Sequence, residues 1–290
     1  MFASVTGVLR VATEFVSRYV GGVDTKKEAS VSDDGMINLS VDGHVLRIEI
    51  ARPDKRYSLT PTMMAGLAAA FDRLQSDPGL RVGLLCAAGK HFTSGLDLLK
   101  FVPIMTGAEP QPIYPGIDPL QLKARCTKPL VAAVSGFVFT VGIEIILACD
   151  IVVAAEDSVF SQLETSRGIM VSGGGTVRWV QQVGWGNAMR YLLTAEKFDA
   201  REALRIGIVQ EVVATGKARA RASELAGLIA SNAPLAVAAT KASALLYLAE
   251  GEQAAFAALP ASQAKLASSA DAMEGAAAMM QRRPPEFTGA

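Results

Sequence analysis

Two glutamates are set where a carboxylate is unusual. Glu144 lies inside an apolar run that begins at Leu130 and ends at Asp150, and Glu164 follows the strand-like stretch Ser158-Val159-Phe160. A carboxylate in such surroundings must be paired, hydrogen-bonded or protonated. Two acids emerging from one buried layer suit general acid–base chemistry, in which one group takes a proton and the other supplies one. Taken singly, each has an ordinary alternative: a glutamate beside a glycine-rich bend often caps a helix or faces solvent.

Other chemistries find less support. The three cysteines, Cys86, Cys126 and Cys149, are far apart and odd in number. They read as buried thiols of a reducing compartment. His44 and His91 lack ligand spacing to any cysteine, so no metal site is expected. Gly173-Gly174-Gly175 has the composition of a phosphate cradle. However, no Walker lysine follows it, and no Gly-x-Gly-x-x-Gly leads from a first strand into a helix. Lys+Arg and Asp+Glu are both 28, and this neutral balance argues against a nucleic-acid binder while leaving room for a local basic patch.

The elements that must position the two acids can be read from pattern. Half of the 290 residues are apolar, ample material for a core. Residues 1–20 have an amphipathic helical spacing, with Val8, Val11, Phe15 and Tyr19 on one side, and 21–35 read as a polar linker. They lack the basic start and apolar core of a secretory signal, and support a mitochondrial presequence only weakly. Residues 37–41 and 44–50 are β-like around an Asp42-Gly43 turn, with Leu46, Ile48 and Ile50 on the buried face. Thr60 can cap a helix that opens with Pro61 and buries Met64, Leu67, Ala70, Phe71 and Leu74. Val82–Ala87 is an apolar strand, Leu96-Asp97-Leu98-Leu99 looks like the start of another helix, and 101–118, with four prolines, read as a long mobile loop. Residues 131–147 resemble a membrane span in hydropathy, but Ser135, Gly136, Thr140, Gly142 and Glu144 interrupt them, so no span is expected. Helices are expected at about 176–183, 187–193 and 200–206, and in four segments from 217 to 280.

In order and spacing, the chain from about residue 37 onward resembles the enoyl-CoA hydratase/isomerase (crotonase) superfamily. The resemblance is carried by Arg52-Pro53 with Ser58-Leu59, by Phe92-Thr93-Ser94-Gly95-Leu96-Asp97 and by Ala132-Ala133-Val134-Ser135-Gly136. It continues through Gly142-Ile143-Glu144, Cys149-Asp150, Phe160 with Glu164, Gly168-Ile169, Gly174-Gly175-Thr176, Ala200 with Ala203, Gly207-Ile208-Val209, and the terminal Arg283-Pro284, Phe287 and Gly289.

The resemblance implies an α/β fold: a spiral of ββα turns with two stacked sheets (36–215), followed by a C-terminal helical region that makes trimer contacts (216–290), with 1–35 outside it. It implies an enoyl-CoA or other acyl-CoA thioester as substrate, no separate cofactor, and self-association as a homotrimer or dimer of trimers in the cytoplasm. The N–H groups of Leu96 and Val141 would form an oxyanion hole, and Glu144 and Glu164 would hold the reacting water. Coenzyme A would lie against Lys55, Arg56, Ser94, Leu96, Asp97 and Leu98, with Arg283 and Phe287 of a neighbour near its adenine. For Lys55 or Arg56 alone, a solvated turn is the plain alternative, and for Phe287 a packing anchor.

The pattern departs from the family at several points. Thr140-Val141 stand where hydratases usually carry glycines, and Val141 would resist positive φ and add bulk beside the thioester. Tyr57 replaces a common asparagine, Leu163 a common proline, and Val171-Ser172-Gly173 the usual Pro-Gly-Ala. These changes leave open isomerisation, lyase, decarboxylase or hydrolase chemistry on the same enolate, and a non-catalytic structural or regulatory subunit.

Overall fold

The structure, a computed structural model, describes residues 34–290; the helix expected within 1–20 and nearly all of the expected linker lie outside the described residues. β1 (Met36–Asp42) and β2 (Val45–Ala51) pair antiparallel, with Asp42 opposite Val45. The tight turn is therefore Gly43-His44, one residue later than the sequence suggested, and Gly43 takes the left-handed conformation (φ 54°). Leu46, Ile48 and Ile50 alternate into the core, as their spacing requires. α1 (Pro61–Ser76) opens with the Met63 N–H donating to Thr60 Oγ1 at 3.2 Å, and Met64, Leu67, Phe71 and Leu74 are buried along it.

β3 (Val82–Ala87), β4 (Leu130–Val134), β6 (Ile151–Ala155) and β9 (Glu211–Val213) join β2 in parallel, giving the sheet order β1-β2-β3-β4-β6-β9. β3, β4 and β6 read as unbroken apolar runs because both faces are covered. One face, with Leu85, Ala132, Val134, Val152 and Ala154, joins the main core. The other face, with Val82, Leu84, Val131, Ala133 and Val153, meets Ala218, Ala222, Ala226 and Ala230 of α6 (Ala218–Ala230). Alanine at every fourth position lets this helix lie close against the sheet.

A second sheet, β5-β7-β8, is formed by β5 (Phe137–Phe139), β7 (Val159–Ser161) and β8 (Phe198–Asp199). β5 is too short to carry a period-two signal of its own. The chain passes between the two sheets three times in the same sense. It runs from β3 to an isolated bridge pairing Thr93 with Val138, then into α2 (Leu98–Met105). It runs from β4 to β5 to α3 (Val141–Ile146), and from β6 to β7 to α4 (Gly175–Thr194). This is the expected spiral of ββα turns, and the hydrophobic run at 131–147 is accordingly cut into β4, β5 and α3. α4 bends at Gly184 (φ 76°, ψ 164°), which separates the two helices expected there. α2 extends into the supposed loop: burial of Phe101 and Ile104 on one face outweighs Pro103, leaving 106–118 irregular.

α5 (Ala200–Ile206), α6, α7 (Pro234–Glu250), α8 (Glu252–Ala267) and α9 (Ala270–Gln281) complete the chain. Lys241 on α7 pairs with Asp150 at 2.7 Å. The buried Asp271 accepts the N–H groups of Thr288 at 2.7 Å and Gly289 at 2.9 Å, pinning the last residues to α9. Among the described residues no single helix is long and apolar enough to cross a membrane; α6 and α7 reach that length only as a pair bent by 105°.

Enlarging a fully buried residue on the α6 stripe should be costly. Ala222→Leu is expected to lower the unfolding free energy by about 1–3 kcal/mol through overpacking. Ala220→Leu, on the exposed side of the same helix, should change it by less than about 0.5 kcal/mol in the same urea titration.

Candidate active site

The three spiral turns bring Leu96, Val141, Glu144 and Glu164 to the wall of one cavity of about 460 Å³. The main chain around Leu96 is tied down on every side. Gly95 (φ 108°) donates its N–H to Thr93 Oγ1 at 3.1 Å and accepts from Leu59 N–H at 2.9 Å, while Asp97 N–H donates to Leu59 O at 2.8 Å. Thr93 Oγ1 in turn donates to Tyr57 O at 2.7 Å. The buried Arg52 donates to Asp97 Oδ2 at 2.8 Å and to Ser58 Oγ at 2.9 Å, clamping the far end of the loop. The Leu96 N–H itself has no partner among the described residues. Neither does the Val141 N–H, which opens α3 and so lacks an acceptor within the helix.

Backbone strain falls on Thr140 (φ 53°, ψ −119°), not on Val141, which is the first helical residue. A β-branched residue in that conformation costs on the order of 1–3 kcal/mol and persists only where its surroundings dictate it. Here the Thr140 N–H is taken by Ser161 O at 2.9 Å, and its carbonyl accepts from Ile143 and Glu144 N–H at 2.9 and 3.3 Å.

Both glutamates are buried, at 4% and 7% exposure. Glu144 Oε1 accepts the Gly175 N–H at 3.0 Å, at the start of α4. A Cβ at Gly173 would stand 2.5 Å from Glu144 Oε2. The glycine run therefore forms a cradle for a carboxylate rather than a phosphate, and the helix N-terminus faces a negative charge supplied by the chain itself. Burial pushes the Glu144 carboxyl up to about 7; the backbone N–H of Gly175 opposes this, and the charge of Glu164 adds to it. Glu164 is raised as well, first by burial, with hydrogen bonds and the Arg167 charge pulling it back. Gln162 Nε2 donates to both Glu164 oxygens at 3.2 Å, and Trp179 Nε1 donates to Gln162 Oε1 at 3.2 Å. Gln162 and Trp179 are both fully buried, so this chain of amide and indole sets the position of the Glu164 carboxylate.

The rest of the cavity is walled by Leu98, Phe101 and Ile104 of α2, by Tyr114 and Leu120 from the irregular stretch after it, and by Met170. Lys55 and Arg56 are exposed on a 3-10 turn outside the cavity lining, and Ser94 N–H donates to Arg56 O at 3.1 Å, joining that turn to the Leu96 loop. Asp97 turns its carboxylate to Arg52. Arg283 pairs with Glu274, and Phe287 packs beside Gly275 while its carbonyl accepts from Arg81. Neither Arg283 nor Phe287 lines the cavity of its own subunit. The three cysteines are buried, and burial pushes the Cys86 and Cys149 thiols up to about 11 and 12. No group of three or more histidine, cysteine or carboxylate side chains gathers as a metal site among the described residues.

Sequence reasoning noted Thr140 only as a departure from the family pattern, and passed over Gln162, Trp179 and the carboxylate role of Gly173 and Gly175. Gln162 left a signal, as a lone amide in the otherwise apolar approach to Glu164. The partner of Trp179 was not visible, because it comes from another turn of the spiral.

Residues 41–290 match the family model described as enoyl-CoA hydratase/isomerase. An enoyl-CoA hydratase of Mycobacterium tuberculosis is 36% identical over 84% of this chain and 93% of its own length. An (E)-benzylidenesuccinyl-CoA hydratase of Thauera aromatica is 33% identical over 88% of this chain and 99% of its own. The crystal structure of a probable enoyl-CoA hydratase/isomerase from Mycobacterium abscessus superposes with a TM-score of 0.85 at 43% identity, covering 88% of this chain and 98% of that one. With the spiral fold, the family model and these relatives in agreement, the chain belongs to the enoyl-CoA hydratase/isomerase (crotonase) family and is an enzyme acting on a coenzyme A thioester.

Proposed function

We propose that the protein hydrates a 2-enoyl thioester of coenzyme A. The observation that carries this reading is one cavity holding two buried carboxylates beside two main-chain N–H groups that have no partner among the described residues. The thioester oxygen accepts hydrogen bonds from Leu96 and Val141 N–H. As water oxygen bonds to the β-carbon, the 2,3 double bond opens and its electrons move onto that oxygen, where the two donors stabilise the enolate. Between them Glu144 and Glu164 take one proton from the water and deliver one to the α-carbon. The reactive form of the pair therefore carries a single proton.

Outside the cavity, Lys55 and Arg56 serve the phosphates of coenzyme A, and the 94–98 loop, with Ser94, Asp97 and Leu98, runs beside its pantetheine arm. Self-association of the 216–290 region as a homotrimer or dimer of trimers belongs to the same reading. It is supported by exposed apolar side chains on α7 to α9, among them Tyr247, Leu248, Phe256 and Met273. A neighbour's Arg283 and Phe287 would then reach the adenine, and the location would be cytoplasmic.

The direct test follows loss of the conjugated enoyl absorbance across a series of chain lengths in heavy-oxygen water. Hydration puts the label on the β-carbon, isomerisation incorporates none, and a folded protein that turns over no enoyl thioester refutes the reading. Glu144→Gln and Glu164→Gln should each lower kcat by about 10²–10⁴-fold.

The pH–rate profile should be bell-shaped. Its alkaline limb should fall above about pH 7 as the pair loses its last proton, and its acid limb as the pair gains a second. Stability should run against function at this site. The folded-state value of Glu144 is raised from 4.5 to about 7, so its contribution to stability is complete below pH 4.5 and is lost as pH rises through 7. Glu144→Gln should therefore melt several degrees above wild type at pH 8, with the difference vanishing near pH 4.5, as read by calorimetry.

A further inference from the structure

We propose that the Thr140 hydroxyl is a third hydrogen-bond donor to the thioester oxygen, alongside the N–H groups of Leu96 and Val141. The inference rests on the thioester reading above and adds a side chain to a site otherwise built from main chain.

Four observations support it. The first is position. Thr140 precedes Val141 directly and lines the cavity. A Cβ placed on Gly95 would meet Thr140 Oγ1 at 2.3 Å, but Thr140 Cβ and Cγ2 only at 3.5 and 3.6 Å. The hydroxyl, not the methyl, is thus turned toward Gly95, whose carbonyl carbon carries the Leu96 nitrogen. It sits between the two residues that lead into the two free N–H groups, and it fits there because Gly95 has no side chain.

The second is hydrogen bonding. Thr140 is only 7% exposed, yet its hydroxyl has no partner among the described residues. Nor is its oxygen sealed away, since it is not among the fully buried atoms left without a partner. Buried hydroxyls almost always find a partner. Two other buried threonines do so, Thr60 donating to Asp34 O at 2.8 Å and Thr93 to Tyr57 O at 2.7 Å. An unpartnered hydroxyl open to the cavity is available to a ligand.

The third is conformation. Thr140 holds φ 53°, where glycine would be unstrained and a β-branched residue is not. Strain retained at the mouth of a reactive cavity is where a functional side chain is expected. The fourth is chemistry. A hydroxyl rotor both donates and accepts, and facing an oxygen that gains negative charge, it turns its proton toward that oxygen. Such a donor strengthens as charge develops, so its loss should appear in kcat more than in KM.

The test compares wild type with Thr140→Val, which keeps the branching and loses the hydroxyl, Thr140→Ser, which keeps the hydroxyl, and Thr140→Gly, which removes both hydroxyl and strain. Each is mixed with acetoacetyl-CoA, and the enolate absorbance of the bound thioester is titrated against pH. Thr140→Val and Thr140→Gly should raise the apparent enolisation pKa by about one unit, a tenfold loss of enolate, while Thr140→Ser stays near wild type. The kcat for enoyl thioester hydration should fall about tenfold or more in Thr140→Val, with KM within about twofold. Glycine accepts this backbone conformation freely, so the comparison survives even if the valine variant folds poorly.

An unchanged enolate equilibrium in Thr140→Val or Thr140→Gly would overturn the proposal. So would a serine variant as impaired as the valine one, or a loss of hydration without any loss of bound enolate, which would assign the hydroxyl to the attacking water instead. If the variants show the enolate shifts in the expected order but wild type hydrates nothing, the hydration reading fails and this one stands.

Discussion

Keeping two buried carboxylates in one cavity is the constraint around which this molecule is arranged. Each would be more stable ionised in water, and each raises the cost of ionising the other. The chain meets this cost with oriented dipoles in direct contact, and with the charges of Arg178 and Arg167 only at a distance. Glu144 lies against the N-terminus of α4, approached through a glycine stretch that leaves room for its oxygens. Glu164 is held by a buried amide, itself held by a buried indole. Such partners fix position without neutralising charge, so burial still raises both groups toward the pH range where they can exchange protons.

The spiral makes this arrangement affordable in geometric terms. Each turn leaves the large sheet, touches the small one and enters a helix, so equivalent points of successive turns stack beside one another. The loop after Thr93 and the loop after β5 are such equivalent points, which is why Leu96 and Val141 each present an N–H at the same wall. The third turn delivers Glu164 and the Gly173–Gly175 stretch to the same place. Arg56, Thr93, Leu59 and Arg52 bind the Ser94 N–H, the Gly95 N–H and carbonyl, and the Asp97 N–H and carboxylate, which holds the Leu96 N–H in place between them.

The departures from the family pattern concentrate at this wall. Thr140 and Val141 replace the smallest residues with branched ones, and the structure accommodates them unequally: Val141 enters the helix unstrained, while Thr140 takes the left-handed backbone. Tyr57 also sits at positive φ (59°), in a turn where asparagine is the easier residue, with its ring buried. Of the two, Thr140 lines the cavity, while the Tyr57 ring is buried in the core behind the Leu96 loop.

Much of the fold was legible in the residues because it is written in local pattern. Alternation in β2, the Thr60-Pro61 start of α1, the apolar runs of β3 and β4, and the helices after residue 217 need only their own segment to be read. The two glutamates were legible as well, since a carboxylate in an apolar run is anomalous wherever it folds. What the sequence could not decide was proximity. β5 is three residues long and exists because β7 lies beside it; the helical start of residues 101–105 depends on burial of Phe101 and Ile104 against the body. The tethering of Glu164 by Gln162 and Trp179, and the meeting of Thr140 with Gly95, join residues from different turns of the spiral. Local pattern determined most of the longer strands and helices, and marked the two glutamates as anomalous. Only tertiary packing determined which polar groups are satisfied, which remain free, and hence where a substrate can bind.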